Sequence, residues 1–433
     1  MLAVGVVLAA SVVIALGAAK SGFPALVAFL GLGMLLGSDG IGGIEFDDAN
    51  LAREVGILAL AAILYEGGLS TSWRRLRQVV WPATLLSTVG VAATAAVTGA
   101  FAHLVFDLSW AEAFLLGSVV ASTDAAAVFA TLRHTRLRRG LGRTLEAESG
   151  GNDPVAIALT LGLISWVEKP TYGVGDVLVL LVRQIGLGLV IGIAIGAAAT
   201  WAFARIPPAI GSFVPVLSAA TAAIGFGAAD AIHGSGFLSV YLVGLAVGST
   251  PSRHRAQLVT FHEGVAYVAQ VTLFIVLGLL VFPSRLPGVA LASLGLTAAL
   301  IFVARPVAVW LSTSWFRFSR RERLLLGWAG LRGAVPIVLG TFVLSSQVGS
   351  RDTIFNAVFF VVLVSADHAI AGAVVRELGL PREALVVVVV RGDDAIPPRG
   401  STRIEAGDVL FVLVPHGKRP EVEDVFARWR RAI

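Results

Sequence analysis

The chain has 433 residues, 56% hydrophobic and only 14% charged, and its mean hydropathy is +0.85. A soluble globular chain sits near a quarter charged, so this composition excludes an ordinary soluble domain over most of the length. With no cysteine neither a disulfide framework nor a thiolate metal site can form. The net charge of +5 belongs, in such a chain, to cytoplasmic loops rather than to nucleic-acid binding.

Apolar segments near the length that crosses a bilayer, about 20 residues, recur from Met1 to about Leu378. They predict thirteen spans: 2–19, 23–37, 54–71, 78–102, 111–131, 147–166, 175–203, 212–229, 236–249, 264–282, 288–313, 323–343 and 353–375. The first lacks a basic n-region and reads as a span rather than a signal peptide. The loops alternate in charge. Lys20, Arg74, Arg75, Arg77, Arg133, Arg136, Arg138, Arg139, Arg143, Arg205, Arg253, Arg255, Arg317, Arg320, Arg321 and Arg323 fall on one side, sixteen in all, against Arg53, Lys169, Arg285 and Arg351 on the other. Basic loops stay cytoplasmic, so the N-terminus is expected outside and, with an odd number of spans, the C-terminus inside.

The tail changes character. The run 384–391 is β-branched and 408–414 is a second strand-like run. Asp393, Asp394, Pro397, Pro398 and Gly400 between them are turn material, and 420–430 reads as a helix. This predicts a cytoplasmic α/β module of roughly fifty residues, marginal for standing alone and expected to pair with a copy of itself or dock on the membrane domain.

Ionisable residues inside a bilayer are costly and mark a pathway. Glu66 sits in ILYEGGLS on the third span, followed by two glycines where the helix frays or packs closely; the alternative is a side chain snorkelling to water. Ser122, Thr123 and Asp124 cluster in the fifth span, where the hydroxyls could also bond back to the preceding turn. Glu148, Ser149, Asn152 and Asp153 enter the sixth span in ESGGNDP. Glu148 shares a helix face with Asn152, and Ser149 shares one with Asp153. Gly150, Gly151 and Pro154 are expected to loosen the backbone there, which is tolerated at membrane depth only around a cavity or inside protein. Arg305 and Arg332 lie in the eleventh and twelfth spans. Each needs a partner, for which Glu148, Asp124 and Asp153 are the candidates. The fifth and twelfth spans, both with polar breaks, occupy matching positions if spans 1–6 and 8–13 are inverted repeats about a linking seventh. Such a pair points to a transporter site.

LYEGGLS, STDAAAV, ESGGNDPVA and GLRGAVP, in this order and on these spans, resemble the monovalent cation:proton antiporter family, NhaP-type branch, over residues 1 to about 378. The resemblance implies an all-α membrane fold of two six-helix inverted repeats with crossing broken helices, similar to NhaA, and a homodimer. It implies that Asp153 binds the ion or proton, that Asn152 before it goes with electroneutral exchange, and that Thr123, Ser149 and Glu66 supply oxygens to an alkali cation. It pairs Glu148 with an arginine, here Arg305, and leaves Arg332 to steady the break. The branch often has Asp where this chain has Glu66. RGDDAIPPRGSTRIEAGDVLFVLV resembles the C-terminal half of the TrkA-C or RCK-C regulatory module, which goes with potassium export in this branch. K⁺ is therefore expected ahead of Na⁺, in a multi-pass cell-membrane antiporter of residues 1–378 with a regulatory domain over 381–433. No resident cofactor and no nucleic-acid partner are expected, and the ligand of the tail is left open.

Two other classes fit less well. A cation channel would carry a TVGYG-like filter, and the sequence has none. For an intramembrane enzyme, His134, His233, His254 and His262 form no HExxH motif, and no GxSxG nucleophile lies on a span with a histidine.

Overall fold

In the computed structural model, residues 2–21, 25–124, 139–169, 171–206, 213–250, 254–330, 332–367, 385–391, 394–396 and 409–413 are described. The expected loop residues Arg133, Arg136, Arg138 and Arg253, the turn residues Asp393, Pro397, Pro398 and Gly400, and the 420–430 helix lie outside them. By contact the chain divides into two compact units. One comprises Met1–Ala28, Ala126–Arg138 and Asp367–Ile433, the other Phe29–Ala125 and Arg139–Ala366.

The helices run in chain order as α1 Leu2–Ser21, α2 Ala25–Leu36, α3 Ala49–Ser70, the short α4 Trp73–Leu76, α5 Val80–Leu85 and α6 Val91–Phe106. They continue as α7 Trp110–Val119, α8 Arg139–Glu168, α9 Val174–Phe203, α10 Val214–Ala231, α11 Gly236–Ser249 and α12 Arg255–Leu279. The last set is α13 Pro287–Ala299, α14 Arg305–Thr313, α15 Arg320–Trp328, α16 Ala334–Leu344 and α17 Arg351–Asp367. Side chains fix several starts. Asp48 Oδ1 accepts from Asn50 N at 3.0 Å and Leu51 N at 2.9 Å ahead of α3. Capping boxes of Ser109 with Glu112 and of Ser319 with Glu322 open α7 and α15. Each satisfies backbone N–H groups that a helix start leaves unbonded.

Among the described residues five continuous segments are long and apolar enough to cross a membrane: Val80–Phe106, Val174–Phe203, Val214–Ala231, Arg255–Leu279 and Pro287–Thr313. Leu104, Val182, Leu291 and Phe302 on them are 77%, 71%, 85% and 73% exposed, as side chains bathed in lipid would be. Two of these segments carry a turn of π-helix at their centre, Leu86–Gly90 joining α5 to α6 and Leu300–Ala304 joining α13 to α14. Arg305 and then Pro306 follow the second. Neither turn was legible in composition.

The sixth expected span departs from its forecast. Gly150, Gly151 and Pro154 do not loosen it: α8 is one continuous helix of 30 residues with Pro154 inside. The breaks fall on the neighbouring expected spans. After α7 ends, Ser122–Asp124 carry no helical structure, and between α15 and α16 the described residues 329, 330, 332 and 333 are likewise non-helical.

Close helix contacts are made by glycine. A Cβ on Gly68 would strike the Tyr241 carbonyl, one on Gly244 the Tyr65 carbonyl, and one on Gly248 the Leu69 carbonyl, so α3 and α11 lie backbone against backbone. Asp39, in the loop after α2, accepts from Ser284 N at 3.1 Å and Oγ at 2.5 Å. The Ser284 hydroxyl, then its amide, holds the Asp39 carboxyl below its ordinary range.

In the tail the three strands β1 Leu385–Arg391, β2 Asp394–Ile396 and β3 Val409–Leu413 form an antiparallel sheet in the order β2-β1-β3. Val389 pairs with Ile396, and Val390 with Val409. The register slips between Val386 and Val388, the mark of a bulge. Asp394, expected as turn material, is the first residue of β2.

A large side chain at Gly248 is expected to cost about 1–3 kcal/mol or more, because backbone atoms on α3 cannot yield. Thermal unfolding in detergent checks this: Gly248→Leu lowers the midpoint, whereas Gly264→Ala, with open space around its Cβ, leaves it unchanged.

Candidate functional site

The non-helical strand after α7 lays its polar residues against the middle of α8. Ser122 Oγ donates to Asp153 Oδ1 at 2.5 Å. Asn152 Nδ2 donates to Thr123 Oγ1 at 2.6 Å and reaches the Thr123 carbonyl at 3.3 Å. Ser122 thus meets Asp153 while Thr123 meets Asn152, the residue before it. Thr123 therefore reaches the site through Asn152, and the hydroxyl on Asp153 is that of Ser122. Asn152 is 1% exposed and its Oδ1 accepts no hydrogen bond from the described residues, leaving a buried oxygen unmatched among them beside the acid. Asp153 itself is partly exposed, in a surrounding where Ser122 and Thr123 are buried at 2% and 5% exposure. Ser149 stands one turn before Asp153 on the same partly exposed face of α8.

Glu148, 1% exposed, faces the other way and is held from two sides. Arg305 Nη2 lies 2.6 Å from Glu148 Oε1, with the arginine 3% exposed. Ser87 Oγ donates to the Glu148 carbonyl at 3.0 Å. Ser87 lies within the first π-turn and Arg305 directly after the second, so the two irregular turns converge on one residue of α8. A turn of π-helix widens the local register and rotates a side chain off the regular helical face, a device frequent at functional sites. A Cβ on Gly151 would come 2.7 Å from Ser87 Oγ, so the glycine admits this close approach.

The two breaks meet. A Cβ on Gly333 would lie 2.5 Å from Asp124 Oδ2, and one on Gly330 would lie 2.5 Å from Arg305 Nε. Glycine at both positions lets backbone of the second break run beside charged groups. Arg332 between them is 3% exposed. Its three side-chain nitrogens have no hydrogen-bond partner among the described residues, although Arg305 and Glu148 are its charged neighbours. The expectation that each intramembrane arginine finds a partner thus holds for Arg305, which also reaches the Leu326 carbonyl at 3.5 Å, and not for Arg332.

Glu66 is half-buried at the end of α3. It accepts from Ser70 Oγ at 2.6 Å and faces Glu263 of α12. No hydrogen bond among the described residues joins it to Asp153. The structure thus gathers Asp153 and Ser149 on one partly exposed face of α8, with Ser122 on the acid, and Glu148 and Asn152 on the buried face, with Arg305 on the first and Thr123 on the second; Arg332 neighbours Glu148, Asp124 stands at the meeting of the breaks and Glu66 bonds to Ser70. Sequence reasoning singled out the Ser122–Thr123–Asp124 run but gave the ligand role to Thr123 rather than Ser122, and it passed over Ser87, which gives no signal in sequence.

A bundle of apolar helices, two of them broken where they meet around buried ionisable groups, defines a membrane transporter. Residues 6–376 match the family described as sodium/hydrogen exchanger, transmembrane, and residues 359–427 match the TrkA-C domain. The chain belongs to the sodium/hydrogen exchanger family. It is 36% identical to the K(+)/H(+) antiporter NhaP2 of Shewanella baltica, over 97% of this chain and 81% of that one. Against the K(+)/H(+) antiporter NhaP of Alkalimonas amylolytica it is 38% identical, over 84% of this chain and 64% of the relative. Its fold resembles that of the sodium proton antiporter MjNhaP1 from Methanocaldococcus jannaschii, with a TM-score of 0.74, 23% identity, and coverage of 84% of this chain and 94% of that one.

Removing one partner of a buried ion pair strands the other, at about 3–5 kcal/mol. Arg305→Ala is therefore expected to lower the thermal unfolding midpoint by several degrees. Arg305→Ala combined with Glu148→Gln recovers part of the loss. An unchanged midpoint in the single variant would show the pair to be unimportant.

Proposed function

We propose that this protein is a secondary active antiporter that exchanges K⁺ for H⁺ across the membrane, with proton and cation competing for Asp153. The observation that carries this reading is Asp153 itself: a carboxylate in the middle of a helical bundle, bonded to Ser122, partly open to solvent and beside the unmatched Asn152 oxygen. A hard oxygen-only donor set suits a weakly held alkali ion.

The chemistry follows from charge. A bare carboxylate is expensive to carry through an apolar barrier. The site therefore crosses when it holds either a proton or a cation, and reluctantly when empty. That selects exchange over leak. Asn152 is neutral and Glu148 is compensated by Arg305, so Asp153 contributes one exchangeable charge, which supports electroneutral one-for-one exchange. Ser122 orients the carboxylate; Thr123, held by Asn152, and Ser149 are the further oxygens offered to the ion, with Asp124 at the junction behind them. Glu66, bonded to Ser70 and facing Glu263, is a further oxygen offered to the cation from α3.

The reading extends to architecture. Thirteen spans form two six-helix inverted repeats around α9. The π-turns of the fourth and eleventh spans and the breaks of the fifth and twelfth fall in matching positions, which supports the repeat. Alternating access moves one set of helices against the other around the fixed site. The N-terminus lies outside and the C-terminus inside; the exchanger occupies 1–378 and a regulatory module 381–433. The protein works as a homodimer in the cell membrane, in pH and cation homeostasis. K⁺ is placed ahead of Na⁺ because relatives bearing K(+)/H(+) antiporter names align over most of the chain, the tail included.

In proteoliposomes, proton flux driven by K⁺, Na⁺ and Li⁺ gradients tests this directly. K⁺ is expected to give the largest rate, and Asp153→Asn is expected to reduce exchange by at least about a hundredfold while leaving the protein folded, since the exchangeable charge is gone. Exchange retained in Asp153→Asn refutes the assignment. Current through the native protein that needs no counter-gradient identifies a channel instead.

A further inference from the structure

Along α8, Arg143, Glu146, Ser149 with Gly150, and Asp153 are partly open to solvent, while Thr144, Leu145, Ala147, Glu148 and Asn152 are buried. Gly142 and Gly151 are also partly open; all of these but Gly151 recur at helical spacing and form one stripe on the helix. At its Arg143 end the stripe reaches a cleft bordered by Thr71, Arg75, Arg143 and Glu146. At the other end stands Asp153.

Tyr241 of α11 stands against the middle of this stripe. A methyl group at Gly150 would lie 2.5 Å from Tyr241 Oη and 2.7 Å from its Cζ, so the ring rests on α8 only because residue 150 has no side chain. The ring is 6% exposed. Thr71 stands beside its hydroxyl, and the carboxylates that face it are Glu146 towards the cleft and Asp153 beyond. The backbone of Tyr241 is locked to α3 through Gly68, Gly244 and Gly248. The ring thus belongs to a rigid helix pair, while the notch it fills belongs to the helix that carries Asp153.

We propose that the Tyr241 ring, seated in the notch at Gly150, is the gate on the aqueous route from the Thr71–Arg75–Glu146 cleft to Asp153. The proposal rests on the reading of Asp153 as the exchange site. An aromatic ring with few rotatable bonds makes a stiff barrier, and its hydroxyl keeps a polar rim towards the route. Movement of α8 along α11 by one residue, about 1.5 Å, shifts Gly150 from under the ring and brings side-chain bulk against it. The same displacement that carries Asp153 between its two accesses then unseats the gate, with no separate lid.

The chain has no cysteine, so Asp153→Cys places a lone thiol behind the proposed gate. The measurement is the rate at which a small, charged, membrane-impermeant methanethiosulfonate reagent modifies that thiol, applied from the membrane face that carries Arg75. Adding Tyr241→Ala is expected to raise the rate at least about tenfold, because thiol modification follows exposure, while Tyr241→Phe keeps it within about twofold of the parent. Gly150→Ala, whose methyl displaces the ring, is expected to raise it as well and serves as the second variant if Tyr241→Ala does not fold. Equal rates in the Tyr241→Ala, Gly150→Ala and parent proteins overturn the gate. The readout uses no transport and no carboxylate at position 153, so it is independent of the exchange assay: exchange surviving in Asp153→Asn sinks the site, and an unchanged thiol rate sinks the gate alone.

Discussion

Everything in the bundle is arranged around the cost of placing charge away from water. Glu148 could not be carried at the centre of α8 without compensation. Arg305 supplies it at 2.6 Å from the carboxylate, and Ser87 anchors the residue's backbone carbonyl at 3.0 Å. With that charge neutralised and the residue clamped between two π-turns, the opposite face of α8 presents a single acid, Asp153, as its exchangeable group. The fixed pair and the free acid sit five residues apart on one continuous helix, so what holds Glu148 also holds Asp153 in register with Ser122.

That continuity explains why the breaks lie elsewhere. Gly150, Gly151 and Pro154 would weaken a helix standing in water. Here neighbouring elements fill the space the glycines leave: Tyr241 rests on Gly150 and Ser87 approaches Gly151. Glycine in α8 therefore serves close packing rather than flexibility. The irregular backbone falls instead at Ser122–Asp124 and around Arg332, where polar groups of one break lie against the backbone of the other. Unbonded backbone at membrane depth is tolerable there because protein surrounds it on all sides.

The sequence carried the larger features plainly. Long apolar runs with alternating loop charge gave the helical membrane fold, and the β-branched run near 390 gave the central strand of the tail. The acid cluster in ESGGNDP and the need of Arg305 for a partner were readable because intramembrane charge is rare enough to stand out; that the partner is Glu148 came from the resemblance. What was not readable depended on local geometry. The non-helical break hands Asp153 to Ser122 and Asn152 to Thr123, a pairing that residue spacing does not give. The π-turns have no composition of their own, so Ser87 was invisible. Glu66 was grouped with the ion ligands because its motif was, yet its bond is to Ser70 and its facing charge is Glu263. Arg332, expected to find a partner, is left beside a carboxylate that Arg305 already holds.

The account stands or falls on competition at one carboxylate, and the most direct test is the cation dependence of exchange in proteoliposomes at a series of pH values on the cation-binding side. If proton and cation share Asp153, then below the pH at which the site protonates the half-saturating cation concentration rises about tenfold for each unit of added acidity, with the maximal rate unchanged, as linkage between two ligands of one group requires. A half-saturating concentration that stays constant while the maximal rate falls with pH would mean that the proton titrates a separate group, and would contradict the account.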